Sequence, residues 1–292
     1  MRSVFPILTV VAVLIALWYA AAVGMNAKWA NDQATRAGVT LSTPDLIADT
    51  WSQDRPRLPA PHQVVRELWK TTGAMALDGK AFSKRSLIFH GWITLSATLL
   101  GFVIGTSAGI LLAVGIVHSR AMDMSVMPWA IASQTIPILA IAPMIIVVLN
   151  SIGIQGLVPK ATISAYLSFF PVVVGMVKGL RSPTTDHLDL LKTYSTNINA
   201  TFWKLRLPSS MPYLFTSLKI GMAASLVGAI VGELPTGAIR GLGARMLTGS
   251  YYGQTIQIWS ALFAAAILAA VMVGSIGMIE RAILKRMGME QK

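Results

Sequence analysis

Cysteine is absent from the 292 residues, which excludes disulfides, thiolate metal sites and cysteine nucleophiles together. Acids are scarce, 12 Asp and Glu against 24 Lys and Arg, and charged residues make up only 12% of the chain. The four histidines, His62, His90, His118 and His187, show no metal-ligand spacing, and no Ser-His-Asp arrangement can be assembled from them. No phosphate loop ending in Gly-Lys-Ser or Gly-Lys-Thr occurs, so the chain has no such means of hydrolysing ATP. Polar tracts are few, the longest running from Met25 to about Ser86.

What is present is hydrophobic length. Hydrophobic residues make up 54% of the chain and mean hydropathy is +0.63, which argues against a single soluble domain. Six apolar stretches approach or exceed the roughly 20 residues that cross a bilayer. They run from Val4 to Val23, Trp92 to Val117, Met127 to Leu149, Ala161 to Met176, Tyr213 to Gly232 and Ile256 to Ile279. The expectation is an all-α integral membrane protein with six transmembrane helices. The net charge of +12 needs no nucleic acid to explain it, because cytoplasmic loops of membrane proteins carry a basic excess.

The basic residues also orient the chain. Arg2, Arg120, Lys178, Arg181, Lys192, Lys204, Arg206, Arg281, Lys285 and Arg286 place both termini and the loop at 182–210 in the cytoplasm, with Lys160 in a short outer loop. Lys219 is expected to snorkel to the cytoplasmic surface. The organisation read from this is a first transmembrane helix at 1–24, a periplasmic segment at 25–88, a five-helix core at 89–287 containing the loop at 182–210, and a cytoplasmic tail at 288–292. Within the periplasmic segment, His62 to Ala76 reads as an interfacial helix with Trp69 at headgroup level, whereas Asn26 to Arg57 matches no motif. Ala20-Ala21-Ala22 resembles a signal-peptide cleavage site, but the apolar run is long for a signal, which favours a retained anchor.

Polar residues and helix breakers within the spans mark candidate working parts. Ser133-Gln134-Thr135, with Pro137 and Pro143, must face protein or water, since lipid satisfies neither the Gln amide nor the backbone groups a proline frees. Gln134 then lies either on a translocation path or in an interhelical hydrogen bond. Gly101, Gly105 and Gly109 form a small-residue ridge for close helix packing. Glu233 is the one acid of the second half that abuts a span on its outer side, and Arg240-Gly241-Leu242-Gly243 follows it. The glycines allow a tight re-entry of the backbone, and the arginine either attracts an anion or pairs with Glu233. Gln134, Thr135, Ser168, Glu233 and Arg240 are the candidate path residues.

Between the fourth and fifth spans lies a polar stretch, Asp186 to Pro208, whose apolar Leu188, Leu191, Ile198, Phe202 and Leu205 recur at helical spacing. Ser182-Pro183 reads as a helix start and Thr196-Asn197 as a break with a second cap, which predicts two short amphipathic helices joined by a tight turn. An ordinary solvated loop is the alternative. Here the chain resembles the membrane subunits of binding-protein-dependent ABC importers. Their loop reads Glu-Ala-Ala, three residues, Gly, nine residues, Ile, one residue, Leu-Pro. Leu207-Pro208 matches the closing pair, Leu205 falls on the Ile, Ser195 on the Gly, and Asp189-Leu190-Leu191 on Glu-Ala-Ala, without a gap. IPILAIAP at Ile136 to Pro143, Ile152-Gly153-Ile154, Phe169-Phe170-Pro171 and Arg240-Gly241-Leu242-Gly243 are similar to the sulfonate, taurine, nitrate, thiamine-precursor and riboflavin branch.

The resemblance covers roughly His90 to Met287 and implies a type I ABC importer permease in the bacterial cytoplasmic (inner) membrane. It implies a cytoplasmic ABC ATPase dimer that uses ATP and Mg, a periplasmic substrate-binding protein, and a second permease copy enclosing a path at the subunit interface. It implies no cofactor on this chain and no covalent chemistry, and a cargo that is a small polar organic compound or oxyanion. Asp189, Leu190, Leu191, Ser195, Ile198, Phe202, Leu205, Leu207 and Pro208 would couple the permease to the ATPase. The rivals are an ion-coupled secondary transporter and a membrane-embedded enzyme. The first usually places ionisable groups near mid-membrane and the second needs a cluster of them, and neither is visible in the sequence.

Overall fold

The computed structural model describes residues 4–235 and 240–289, and every regular element among them is helical. Arg2, residues 237–239 of the outer turn and the last three residues of the basic tail lie outside the described residues. In chain order the helices are α1 (Val4–Arg36), α2 (Thr43–Ser52), α3 (Pro61–Trp69), α4 (Met75–Leu77), α5 (Leu87–His118), α6 (Arg120–Ser133) and α7 (Ile138–Ser151). There follow α8 (Leu157–Leu180), α9 (Thr185–Thr193), α10 (Ile198–Thr201), α11 (Leu207–Glu233), α12 (Leu242–Tyr251) and α13 (Thr255–Arg286). Single π-helical turns, Lys70–Ala74 and Phe202–Arg206, join α3 to α4 and α10 to α11.

Among the described residues five helical stretches are long and apolar enough to cross a membrane: α1, α5, α8, the run Ile198–Glu233, and α13. The third expected span, Met127 to Leu149, carries its helix breakers as a real break. It consists of α6 and α7, bent by 99° at a short break, and the number of spans is six if this pair crosses as one. The cause is local. Pro137 has no N–H to return to the carbonyl of Ser133, and the chain turns there. The Ser133 carbonyl instead accepts a long hydrogen bond from the Ile136 N–H at 3.4 Å and one from the Tyr166 hydroxyl of α8.

The chain forms two compact units, Met1–Gly91 with Ala244–Ala265 and Trp92–Gly243 with Ala266–Lys292. In the first, α1 runs unbroken through Ala20-Ala21-Ala22 and on to Arg36, well past the apolar run. Asn26, fully buried, explains the 26–57 stretch that had no motif. Its amide donates to the carbonyls of Thr50 (3.2 Å) and Leu58 (2.8 Å), and its Oδ1 accepts from the N–H groups of Arg57 (2.8 Å) and Leu58 (3.2 Å). All four of its bonding sites are thus used to hold the connection after α2 against α1. Trp18 adds a bond from its indole N–H to Pro59 O at 3.0 Å and stacks near Trp259 and Phe263. The interfacial reading of 62–76 corresponds to α3, its π turn and the start of α4, with Trp69 exposed.

The second unit is built on close contact of α5, α8 and α11. A Cβ at Gly101 would stand 2.4 Å from Ser164 Cβ, and one at Gly105 would stand 2.3 Å from Ser168 Oγ and 2.6 Å from Ala165 O. The glycine ridge therefore lets the backbones of α5 and α8 touch, and Gly228 plays the same part on α11, where a Cβ would lie 2.7 Å from Ser164 Cα. Hydroxyls close the three-helix junction: Ser164 bonds Ser225 Oγ at 2.7 Å, and Ser225 donates to Thr98 O at 2.8 Å. Toward the other end of these helices Ala113, Ile116, Val173, Met176, Val177 and Leu180 form an apolar core. Lys219, the residue expected to snorkel, pairs with Glu280 of α13 at 2.7 Å.

Gly105→Val should lower the stability of the purified protein by about 1–3 kcal/mol, because the side chain has no room between α5 and α8. Ser107→Val, exposed on the same helix, is the control expected to unfold at the parent temperature. Equal unfolding temperatures for the two variants would refute the packing account.

Candidate functional site

The break between α6 and α7 places Gln134 and Thr135 at a bend rather than inside a helix. Both are exposed, and the Gln134 amide makes no hydrogen bond among the described residues. The interhelical bond weighed for it is not made within this chain. Gln134 lines two cavities at once. The larger, about 840 Å³, lies between α8 and α11 and is lined by Phe170, Pro171, Val174, Lys178, Tyr213 and Thr216 among others. The smaller, about 340 Å³, lies along the bend itself with Thr135, Pro137 and Tyr166. Phe170 and Pro171 wall both, so Gln134 and these two residues form the partition between them.

Glu233 ends α11 and is fully buried. It accepts hydrogen bonds from the Thr94 hydroxyl (2.9 and 3.2 Å) and from the Gly243 N–H (2.8 Å), while Thr94 Oγ1 accepts from the Leu242 N–H at 2.9 Å. The carboxylate thus holds the opening turn of α12, where unpaired N–H groups attract an anion. Lys160 lies 3.8 Å from Glu233 Oε1 and donates to the Arg240 carbonyl at 3.3 Å. Lys160 was expected in the short outer loop; it lies instead in the first turn of α8, buried beside this carboxylate. The glycines of Arg240-Gly241-Leu242-Gly243 are required sterically. Gly241 has φ +126° and a Cβ there would lie 2.2 Å from the Glu233 carboxyl carbon. Arg240 has an exposed side chain. Ser168 is fully buried against Gly105, its hydroxyl donating to Ala165 O at 3.2 Å.

Of the two short helices that its stripe predicted, the 182–210 loop contains the first, α9, and the tight turn after it; the second is corrected, because α10 runs on through the π turn into α11 as one helical stretch, Ile198–Glu233. The helix start differs: α9 begins at Thr185 with Thr184 at the cap position, and the Ser182 hydroxyl donates to Ser209 O at 3.4 Å instead of capping. Asn197 is a cap, its Oδ1 accepting from the Ala200 N–H at 2.7 Å. Between them Ser195 has φ +54°, alone among non-glycine described residues. Its N–H bonds Lys192 O (2.8 Å) and the Thr196 N–H bonds Leu191 O (3.1 Å), the paired bonds of a helix end that favours glycine.

The stripe divides in two. Phe202 packs edge-on against His118 at 5.1 Å and, with Leu207, against the Ala113–Leu180 core, so it anchors the loop. Leu188, Leu191, Leu205 and Pro208 are half-buried, and Asp189 is exposed and paired with Lys192 at 2.8 Å. The apolar surface left open is Leu190, Tyr194, Ile198 (77% exposed) and Trp203. Helical periodicity finds residues that share a face, but it does not say which of them the chain's own core takes. Tyr194 and Trp203 were missed for that reason, as were Thr94 and Tyr166, whose partners are remote in sequence.

A helical membrane protein with a broken span, cavities beside the break and an open amphipathic loop has the parts of a membrane transport component. Residues 105–288 match the family described as binding-protein-dependent transport system inner membrane component, and the chain belongs to that family as an ABC importer permease of the inner membrane. It is 28% identical over 226 residues to a probable ABC transporter permease protein of Haemophilus influenzae, covering 77% of this chain and 85% of the relative. It is 29% identical over 251 residues to the riboflavin transport system permease protein of Chloroflexus aurantiacus, covering 86% and 84%. A formylaminopyrimidine transport permease protein of Halalkalibacterium halodurans is 29% identical over 202 residues, 68% and 78% of the two chains.

Proposed function

We propose that this permease is driven by a cytoplasmic ABC ATPase dimer, receives its cargo from a periplasmic binding protein, and pairs with a second permease copy to enclose the path. The observation that carries this reading is the open apolar surface of the 182–210 loop, which closes on Leu207-Pro208 at the family spacing. A loop projecting into the cytoplasm has no lipid in which to bury Ile198 and Trp203, and a groove on a partner supplies the place. ATP and Mg act on that partner; this chain binds no cofactor and performs no covalent step. ATP-driven closure of the ATPases shifts the loop helices and rocks the spans between inward-open and outward-open states.

The reading keeps six spans with both termini cytoplasmic and α1 as a retained anchor. Gln134 and Thr135 stand on the path, while Ser168 and Glu233 are packing residues beside it. The cargo is a small polar organic compound or oxyanion, in keeping with relatives named for riboflavin, formylaminopyrimidine, aliphatic sulfonates and nitrate.

The test is uptake into vesicles containing permease, ATPase and binding protein. Uptake should require ATP, and Gln134→Leu should cut it about tenfold or more while the complex purifies intact, since an exposed amide at the partition is lost without disturbing packing. Uptake driven by an ion gradient without ATP would overturn the reading, and unchanged uptake in Gln134→Leu would remove that residue from the path.

A further inference from the structure

The larger cavity between α8 and α11 has a one-sided charge. Lys178 is the charged group on its wall, and no carboxylate lines it. Lys178 makes no ion pair among the described residues, where the pairs of this unit are those of Lys160, Arg181, Lys192 and Lys219; what sets it apart from the other unpaired bases is that it lines this cavity. Its ammonium lies 5.9 Å from the ring centre of Tyr213 on the facing helix, which holds it at the cavity wall. The hydroxyl protons of Thr216 and Ser217 are committed to Pro212 O (2.9 Å) and Leu214 O (2.8 Å) of their own helix. The donors left for a guest are therefore the Lys178 ammonium, the Tyr213 hydroxyl and the Gln134 amide. The rest of the wall is apolar: Phe170, Pro171, Val174 and Ile220.

We propose that this cavity is a cargo subsite for a small organic anion, a molecule with a sulfonate or carboxylate group and a short apolar body. Lys178 receives the anionic group, Gln134 and Tyr213 donate to its polar atoms, and the Phe170–Pro171 wall takes the apolar part. A bare inorganic anion would leave that wall in contact with water, and a cation would meet an uncompensated ammonium. A pocket of about 840 Å³ is also within the roughly 300–1,000 Å³ of small-molecule sites. This deepens the importer reading and rests on it, because the cavity is taken to lie on the transport path.

The absence of cysteine makes the subsite measurable without knowing the cargo. A thiol introduced by Thr216→Cys, in the assembled importer without ATP, is labelled with 2-sulfonatoethyl and with 2-(trimethylammonio)ethyl methanethiosulfonate. After correction for each reagent's rate with a free thiol, the sulfonate should react about tenfold faster. Lys178→Gln should abolish that preference and Lys178→Arg should keep it. Millimolar ethanesulfonate should slow the labelling severalfold, whereas the neutral ethyl methyl sulfone should not. Ile220→Cys, also on the wall and exposed, serves where Thr216→Cys does not assemble. Equal rates for the two reagents, a preference that survives Lys178→Gln, or no slowing by ethanesulfonate would each overturn the subsite. Such a failure with ATP-driven uptake intact leaves the importer reading standing. Loss of the ATPase requirement with the labelling pattern intact sinks that reading instead.

Discussion

Glu233→Ala should destabilise the purified permease by about 3–5 kcal/mol, the cost of removing one partner from a buried ion pair. The carboxylate is fully buried and accepts from Thr94 and from the Gly243 N–H, with the Lys160 ammonium 3.8 Å away. Without it, Lys160, itself 7% exposed, keeps the Arg240 carbonyl at 3.3 Å but has lost its counter-charge. Glu233→Gln should cost less, since an amide oxygen still accepts from Thr94 and Gly243. Thr94→Val should cost about 1–3 kcal/mol, because the Leu242 N–H then loses its acceptor. Adding Lys160→Met to Glu233→Gln should recover part of the loss, as apolar replacement of a buried pair is often tolerated. Thermal unfolding in detergent measures all four, and a Glu233→Ala protein that unfolds with the parent would show that the network contributes nothing.

Ile198→Asp and Trp203→Asp should release the ATPase and end transport while leaving the permease folded. Both side chains are exposed in the isolated chain, so a charge there costs the fold little. Burying one side chain of this size is worth about 1.5–3 kcal/mol, which corresponds to roughly a 10- to 150-fold loss of docking affinity before the charge is counted. Phe202→Asp should fail differently, losing stability as well as docking, because Phe202 packs on His118 and on the Ala113–Leu180 core. Ser195→Gly should be tolerated and should stabilise the turn by about 1 kcal/mol, since glycine adopts φ +54° without the steric cost of a Cβ. Ser195→Trp should obstruct the dock. Copurification with the ATPase, read beside the unfolding temperature, separates these outcomes. Normal docking and transport in both Ile198→Asp and Trp203→Asp would remove the loop as the coupling element.

The sequence by itself determined that the chain crosses a membrane, where its long helices run, that Gly101, Gly105 and Gly109 form a packing ridge, and that a short helix ends at a turn near Ser195 before helix resumes. These follow from apolar length, period and turn chemistry, which neighbours along the chain decide. It marked the proline-rich third span as unusual but not its 99° bend, because Pro137 only frees the Ser133 carbonyl, and the Tyr166 hydroxyl that takes it comes from another helix. Lys160, read as part of the short outer loop, became half of a buried pair, and Lys219 found a partner in Glu280 of another helix. Tertiary structure alone decided which half of the loop's apolar stripe is anchored and which half is open. It also left Lys178 without an acid beside an apolar wall. Charge neutralisation and burial depend on what lies opposite a residue, and in a bundle of helices the opposite residue is tens of positions away.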